Sequence, residues 1–354
     1  MSSYLNRIVT SVPQHEVHEK FVSYIPQIVQ DERMRKLFSR LASKCHIERR
    51  YSVVRPALEP DRLDADGFFT RGEFPSTQSR MKFFEREAMR LAEKPIETVL
   101  EKVDRSKITH LIVTSCTGFY APGLDLEIQK HFGLRSDLER TSVGFMGCFA
   151  AINALKLADH IVRARADATV LLVNLELCTL HLQESTEPEQ LMAFLQFADG
   201  CAVSLVSSDA SGLRLDGFHA RVFEDGKDLI QWHIGDTGFN MILSADVPKA
   251  LGRSLQSAHP KFIDADQRAN TKLWAVHPGG RSILDAVQTQ LGLTDSEMSF
   301  SRNTLRNFGN MSSATVLFVL SDMLAEPALH GDGVAMAFGP GLTVESMRFH
   351  KAIG

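Results

Sequence analysis

The chain has 354 residues, 44% hydrophobic and 23% charged, with 39 lysines and arginines against 43 aspartates and glutamates. That length suits two domains or one duplicated domain, and the near-average composition is that of a globular protein. A formal net charge of −4 argues against nucleic acid or an acidic membrane surface as the main partner; with neither a signal-like start nor an apolar run of the roughly 18 residues a membrane span needs, the expectation is a cytoplasmic protein.

Residues 14–52 read as helical and end in SRLASKCHIERRY, where Arg40, Lys44, Arg49 and Arg50 form the densest basic cluster of the N-terminal half. Two readings stand for it: a solvated face, or attraction of a phosphorylated small molecule. Residues 56–75 are loop-like, and 77–103 carry a helical pattern predicted to break near Pro95. The run 108–116, ITHLIVTSC, is β-branched and apolar, a strand predicted to be buried on both faces. A turn-rich TGFYAPG, a helix over 125–132 and a short extended segment from Thr141 to Val143 follow. Ala151, Ala154, Leu155, Ala158, Ile161 and Val162 then recur at helical spacing. Next come a second buried strand (168–177), a helix (187–197) and a third strand (201–207). The polar SSDASG stretch places a boundary between Ser208 and Phe218, dividing the chain into 1–210 and 211–354. Beyond it, LWAVHPGG (273–280) is a strand running into a turn, 281–291 is a helix, and NMSSATVLFVLSDML is another. VAMAFGPG (334–341) closes with a strand and a glycine–proline turn. Strands alternating with helices in this way indicate an α/β layered fold.

The two parts resemble each other. With an offset of 163, FMGCFAAINALKLAD lies on FGNMSSATVLFVLSD, matching Phe145 with Phe308, Ala151 with Ala314, Leu157 with Leu320 and Asp159 with Asp322. The match is short, but each copy starts at an aromatic–glycine turn with small residues in its first turn and precedes a strand. Two copies of one unit would bring Cys148 and the segment around Asn310 to equivalent helix ends across a pseudo-dyad.

Five cysteines (Cys45, Cys116, Cys148, Cys178, Cys201) are widely spaced, with no C-x-x-C pair, and are expected to be reduced and to bind no metal. No P-loop or strand-linked G-x-G-x-x-G supports a nucleotide cofactor. Cys148 follows a glycine where an extended segment gives way to a helix, and a helix start favours thiolate over thiol. Its bland alternative is a small apolar plug at a strand–helix junction. His277 ends a buried strand and Asn310 begins a helix; singly, these read as a core histidine and an N-cap. Together the three suit acyl transfer: histidine shares the thiol proton, the thiolate attacks a thioester, and the amide joins the histidine in holding negative charge on oxygen. Cys116 and Cys178 are rival nucleophiles but follow strands with no helix start behind them. Glu176 is a carboxylate in an apolar strand, either a hydrogen-bond anchor or part of a proton relay.

AFGPGLTVE (337–345) is similar to the C-terminal signature of the chalcone and stilbene synthase family, the type III polyketide synthases. VHPGG with His277, FGNMSS with Asn310 and GCFAAINAL with Cys148 resemble that family's three catalytic segments in the same order. The resemblance implies a thiolase-like fold, two related halves in a five-layer αβαβα arrangement, and a homodimer. It also implies a reaction: a starter acyl group passes from coenzyme A to Cys148, malonyl-coenzyme A loses carbon dioxide, and the enolate attacks the acyl thioester while His277 and Asn310 hold the oxygens. No metal or redox cofactor is then needed. Phe197 matches an aromatic gatekeeper, and Arg40 and Lys44 match residues that hold coenzyme A phosphates. Met241 stands where plant members have a second gatekeeper phenylalanine and Trp232 where they have glycine; Cys116, Cys178 and His181 replace cavity threonines. These departures resemble bacterial members that take fatty acyl starters and release alkylpyrones or alkylresorcinols. Two alternatives remain at this stage: a ketoacyl-carrier-protein synthase III-like single condensation, whose histidine segment usually reads HQAN-like, and a non-catalytic partner subunit of the same fold.

Overall fold

A strand that is apolar at every position needs cover on both faces, and the structure, a computed structural model that describes residues 2–223, 226–262 and 265–353, supplies it. In chain order the elements are β1 (Ser3–Ser11), β2 (His15–Glu16), α1 (His18–Ile28), α2 (Glu32–Ala42), β3 (Tyr51–Ser52), α3 (Thr77–Leu100), β4 (His110–Ser115), α4 (Leu124–His131), β5 (Glu139–Gly144), α5 (Ala150–Ala164), β6 (Val170–Leu177), α6 (Pro188–Gln196) and β7 (Asp199–Ser207). They continue with β8 (Leu213–Val222), β9 (Ile230–Gly235), β10 (Gly238–Leu243), α7 (Val247–Phe262), α8 (Ala265–Asn270), β11 (Leu273–Val276), α9 (Arg281–Leu291), α10 (Asp295–Phe308), α11 (Thr315–Ala325), β12 (Gly331–Gly339) and β13 (Thr343–Lys351).

Nine strands join in the order β11-β12-β13-β8-β1-β7-β6-β4-β5. That order contains one unit twice. In the first half β4 pairs parallel with β5 and β6, and β7 runs antiparallel between β6 and β1. In the second, β11 pairs parallel with β12, and β13 runs antiparallel between β12 and β8. β1, β4, β6 and β7 therefore correspond to β8, β11, β12 and β13, and α5 and α11 precede equivalent strands. The halves meet where β1 pairs with β8, from Ser3 opposite Leu215 to Leu5 opposite Leu213.

Alternation along each strand divides its side chains between two cores. On β6, Leu171, Val173, Leu175 and Leu177 face a core shared with α1, α3, α4 and α6, while Val170 and Leu172 face the core around α5 and α11. On β11, Trp274 and Val276 face a core shared with α7, α9 and α10, while Leu273 and Ala275 turn to the α5–α11 core. Three cores separated by two sheet halves give the five αβαβα layers, with α5 and α11 in the middle.

Two expectations need correction. Residues 14–52 are not helical throughout: α1 and α2 are flanked by the β2–β3 pair. The chain leaves the helix after α2, passing through His46 at φ 59°, because Cys45 and Ile47 are buried in the core of the other half. Nor does Pro95 break α3, which runs unbroken from Thr77 to Leu100. A mid-helix proline costs about 3 kcal/mol; Leu91, Ala92, Ile96 and Val99 are buried around it, and each large apolar side chain contributes about 1.5–3 kcal/mol.

Candidate active site

Between β5 and α5 the chain reverses through two left-handed residues, Phe145 (φ 58°) and Gly147 (φ 82°), which sets Cys148 directly ahead of the first turn of α5. Glycine is required at 147 by space as well as by φ, since a Cβ there would lie 2.3 Å from Pro340 Cδ. The glycine–proline turn after β12 is thus the floor beneath the Cys148 loop. From the other side the Gly147 N–H donates to Cys116 Sγ at 3.1 Å.

Asn310 sits in the turn between α10 and α11 and is fixed by backbone and side chain alike. Its N–H donates to Gln196 O and its carbonyl accepts from Ala198 N–H, both at 2.9 Å. Its Nδ2 donates to Gly279 O at 3.3 Å, and its Oδ1 accepts from Ser312 N–H at 2.9 Å. That last bond orients the amide so that Nδ2 is the end available as a donor. His277 follows β11 and is 1% exposed. Among the described residues neither of its ring nitrogens has a partner. An unpaired buried polar atom costs about 1–3 kcal/mol, so such a ring is poised for a ligand.

Cys148, His277 and Asn310 share the wall of one cavity, together with Cys116, Cys178 and Phe197. Trp232 and Met241 complete one side; they stand directly opposite each other on the β9–β10 hairpin. Trp232 Nε1 donates to Cys116 O at 3.0 Å, pinning the indole across the cavity. Behind it lies a second cavity, and Cys178, Phe197, Trp232 and Met241 line both. His181 lines only the second. Its ring stacks on Phe239 (4.0 Å, 11°), its Nε2 contacts Thr117 O at 2.7 Å, and its Nδ1 accepts from Phe239 N–H. Burial lowers its pKa to about 3, which leaves a neutral, fully partnered wall residue. Arg40 and Lys44 are exposed at the end of α2. Arg281, the first residue of α9, donates to Lys44 O at 3.3 Å, two residues past the cavity-lining Gly279.

The electrostatics depart from the helix-start expectation. Burial pushes the Cys148 thiol up to about 12; hydrogen bonds to Ser312 and Asn310 oppose the rise and the Glu176 carboxylate adds to it. Burial lowers His277 to about 3. Burial thus opposes both the thiolate and the imidazolium. Cys116 and Cys178 are raised well above the usual thiol range, again by burial first and by Glu176 second. Glu176 itself is an anchor: its Oε2 accepts from Cys116 N–H (2.9 Å) and Thr117 Oγ1 (2.8 Å), and its Oε1 from Ser313 Oγ (2.5 Å). It ties the end of β4 to the turn before α11, and burial raises it to about 7.

Sequence profiles of known domains match nearly the whole chain: the N-terminal domain of chalcone and stilbene synthases over residues 4–210 and the C-terminal domain over 218–352. The chain belongs to the chalcone and stilbene synthase family. Solved structures agree in fold. PKS-I from the brown alga Ectocarpus siliculosus is 27% identical with a TM-score of 0.89 over 99% of this chain and 98% of that one. The C-terminal type III polyketide synthase domain of Steely1, a type I/III hybrid from Dictyostelium, is 23% identical with a TM-score of 0.90 over all of both chains. A point mutant of CsyB is 21% identical with a TM-score of 0.87 over 99% of this chain and 100% of that one. Membership in the chalcone and stilbene synthase family makes this an acyltransferase-type enzyme on a thiolase-like fold. Among the described residues no helix is long and apolar enough to cross a membrane.

Sequence reasoning missed Ser312 and the task of Pro340. Ser312 carries a left-handed φ of 48° and hydrogen-bonds toward Cys148; the SS pair after Asn310 was its only signal. The GPG motif was legible as a motif, but its packing against Gly147 joins residues 193 positions apart and left no local trace.

Proposed function

We propose that this chain is a type III polyketide synthase that loads an acyl group from a coenzyme A thioester onto Cys148 and extends it with malonyl-coenzyme A. The observation that carries the reading is the convergence of a thiol, an imidazole with two free nitrogens and an oriented amide on one cavity. The Cys148 proton passes to His277 as Sγ attacks the thioester carbonyl. The coenzyme A thiolate leaves and takes that proton, and an acyl-Cys148 thioester remains. Malonyl-coenzyme A then loses carbon dioxide, whose departure drives the step without a metal or redox group. Asn310 Nδ2 and His277 donate to the enolate oxygen as it forms. The enolate carbon attacks the acyl carbonyl, expels the Cys148 thiolate and leaves a chain two carbons longer on coenzyme A.

Burial works against the transfer of the Cys148 proton to His277, raising the Cys148 thiol and lowering His277. The charged pair forms only as a substrate carbonyl is attacked, and the thiolate expelled by the enolate takes a proton from solvent to restore the neutral pair. Exposed Arg40 and Lys44 would meet the coenzyme A phosphates. A fatty acyl starter would run along the apolar wall of Cys178, Phe197, Trp232 and Met241 that the two cavities share, and an alkylpyrone or alkylresorcinol would be the product. In a homodimer the exposed edge strand β5, with Phe119 and Met146 exposed beside it at 43% and 41%, would be covered. Incubation with malonyl-coenzyme A and a panel of acyl-coenzyme A starters, followed by mass spectrometry, tests the reading. Cyclised products several acetate units longer than the starter support it; a single extension, or a requirement for an acyl carrier protein, overturns it.

A further inference from the structure

The basic cluster near the end of α2 divides in two. Arg40, Lys44 and Arg49 are exposed, whereas Arg50 has 0% exposure. A buried guanidinium is costly unless its donors are used, and Arg50 uses two of its three nitrogens, Nη2 having no partner among the described residues. Arg50 Nη1 donates to Phe194 O (2.6 Å) and Phe197 O (2.9 Å), and Nε donates to His18 Nδ1 (3.0 Å). The Phe21 ring lies 5.3 Å from its central carbon. Both accepting carbonyls belong to the C-terminal end of α6, the negative pole of that helix, where a cation is favoured.

What α6 carries at that end is the candidate gate. Phe197 is its C-cap residue and is bridged in parallel to Asn310. Asn310 N–H donates to Gln196 O, and Ala198 N–H donates to Asn310 O. Gly309 completes the junction: a Cβ there would come within 2.7 Å of Arg50 Cγ and 2.8 Å of Gln196 O. One guanidinium therefore sits where the N-terminal segment, the gate and the Asn310 turn meet. The backbone of the Cys148 loop is held instead by α5, Cys116 and Pro340, and only its thiol reaches toward the Asn310 turn.

We propose that Arg50 is a positioning residue that holds the Phe197 gate and the Asn310 amide as one unit, so that cavity mouth and oxygen site keep a common register. The proposal rests on the roles given above to Phe197 and Asn310. Arg50→Lys keeps the charge but lacks the planar fork, and Arg50→Met lacks both. In the full-length protein, with folding verified by circular dichroism, kcat for condensation should fall about ten- to a hundredfold, as a displacement near 1 Å does. KM for malonyl-coenzyme A and the rate of Cys148 alkylation by iodoacetamide should stay within about twofold, with Lys closer to wild type than Met. Hydrogen exchange should quicken together over residues 194–198 and 308–311 in both variants. A folded Arg50→Met enzyme with wild-type kcat, or exchange quickening in one segment alone, overturns the proposal. In the wild-type protein the same two segments should open with one denaturant dependence; independent opening overturns it without any variant. Coupled opening in a protein that makes no polyketide would support the clamp and overturn the functional reading.

Discussion

Ahead of α5 the chain turns through Phe145 and Gly147 at φ 58° and 82°; ahead of α11 it turns through Gly309 and Ser312 at φ 69° and 48°. The first turn presents a thiol, the second an amide and a hydroxyl. In the offset alignment Cys148 falls on Met311, which is fully buried and packs so tightly on Gly200 that a Cβ there would lie 2.4 Å from Met311 Sδ. The second copy therefore keeps the position and not the nucleophile, and its polar side chains stand one residue to either side. A duplicated unit supplies two helix starts to one cavity, and small shifts within each turn give them different side chains; under the proposed function one would make the bond and the other hold the oxygen.

The contrast is broken most directly at the first turn. Cys148→Ala should lower condensation by at least about a thousandfold and abolish the acyl adduct seen by intact-protein mass spectrometry. An adduct that persists would hand the bond-making task to Cys116 or Cys178. At the second turn Asn310→Ala should cost about 10²–10³ in kcat while the Cys148 adduct still forms with an acyl-coenzyme A alone. Loss of loading in that variant would erase the division of labour. Trp232→Gly, which opens the wall between the two cavities, should shift kcat/KM toward longer starters by about tenfold or more and lengthen the products; an unchanged starter range and product pattern would refute the wall.

The smallest effect concerns the carboxylate that ties the two regions together. Glu176 is raised to about 7 by burial, so the folded state binds its proton more tightly than the unfolded chain does. The resulting stability is present below the unfolded carboxylate pKa and is lost as pH rises through about 7. Glu176→Gln cannot ionise and lacks that loss. The wild-type melting temperature should therefore decline relative to Glu176→Gln between about pH 5 and about pH 8, by the equivalent of no more than about 3 kcal/mol. Parallel pH profiles for the two proteins would place the ionisation elsewhere.

Much of the fold was readable because β4, β6, β7, β11 and β12 each carry a run of consecutive apolar residues, a pattern that double-sided burial explains. β8 was not readable: LRLDGFHARV has buried residues near its start and exposed or half-buried ones through the rest, so it lacks a clean run. The β9–β10 hairpin was missed for a related reason, since it leaves Ile234 62% and Ile242 37% exposed while Trp232 and Met241 face the cavity. Within the site, the segments of Cys148, His277 and Asn310 were legible from their residues, whereas Phe197, which lines the same cavity, was singled out only through the family resemblance. Arg50 read like its exposed neighbours.

By itself the sequence determined the alternation of strands and helices, the internal repeat and the three segments that hold Cys148, His277 and Asn310, because periodicity and turn chemistry are local. Only the tertiary structure decided that these segments share one cavity, that burial raises the Cys148 thiol despite its helix start, and that Arg50 is buried against the C-terminal end of α6. The reason is physical: the energy of a charge depends on what surrounds it, and those surroundings come from residues far away in the chain.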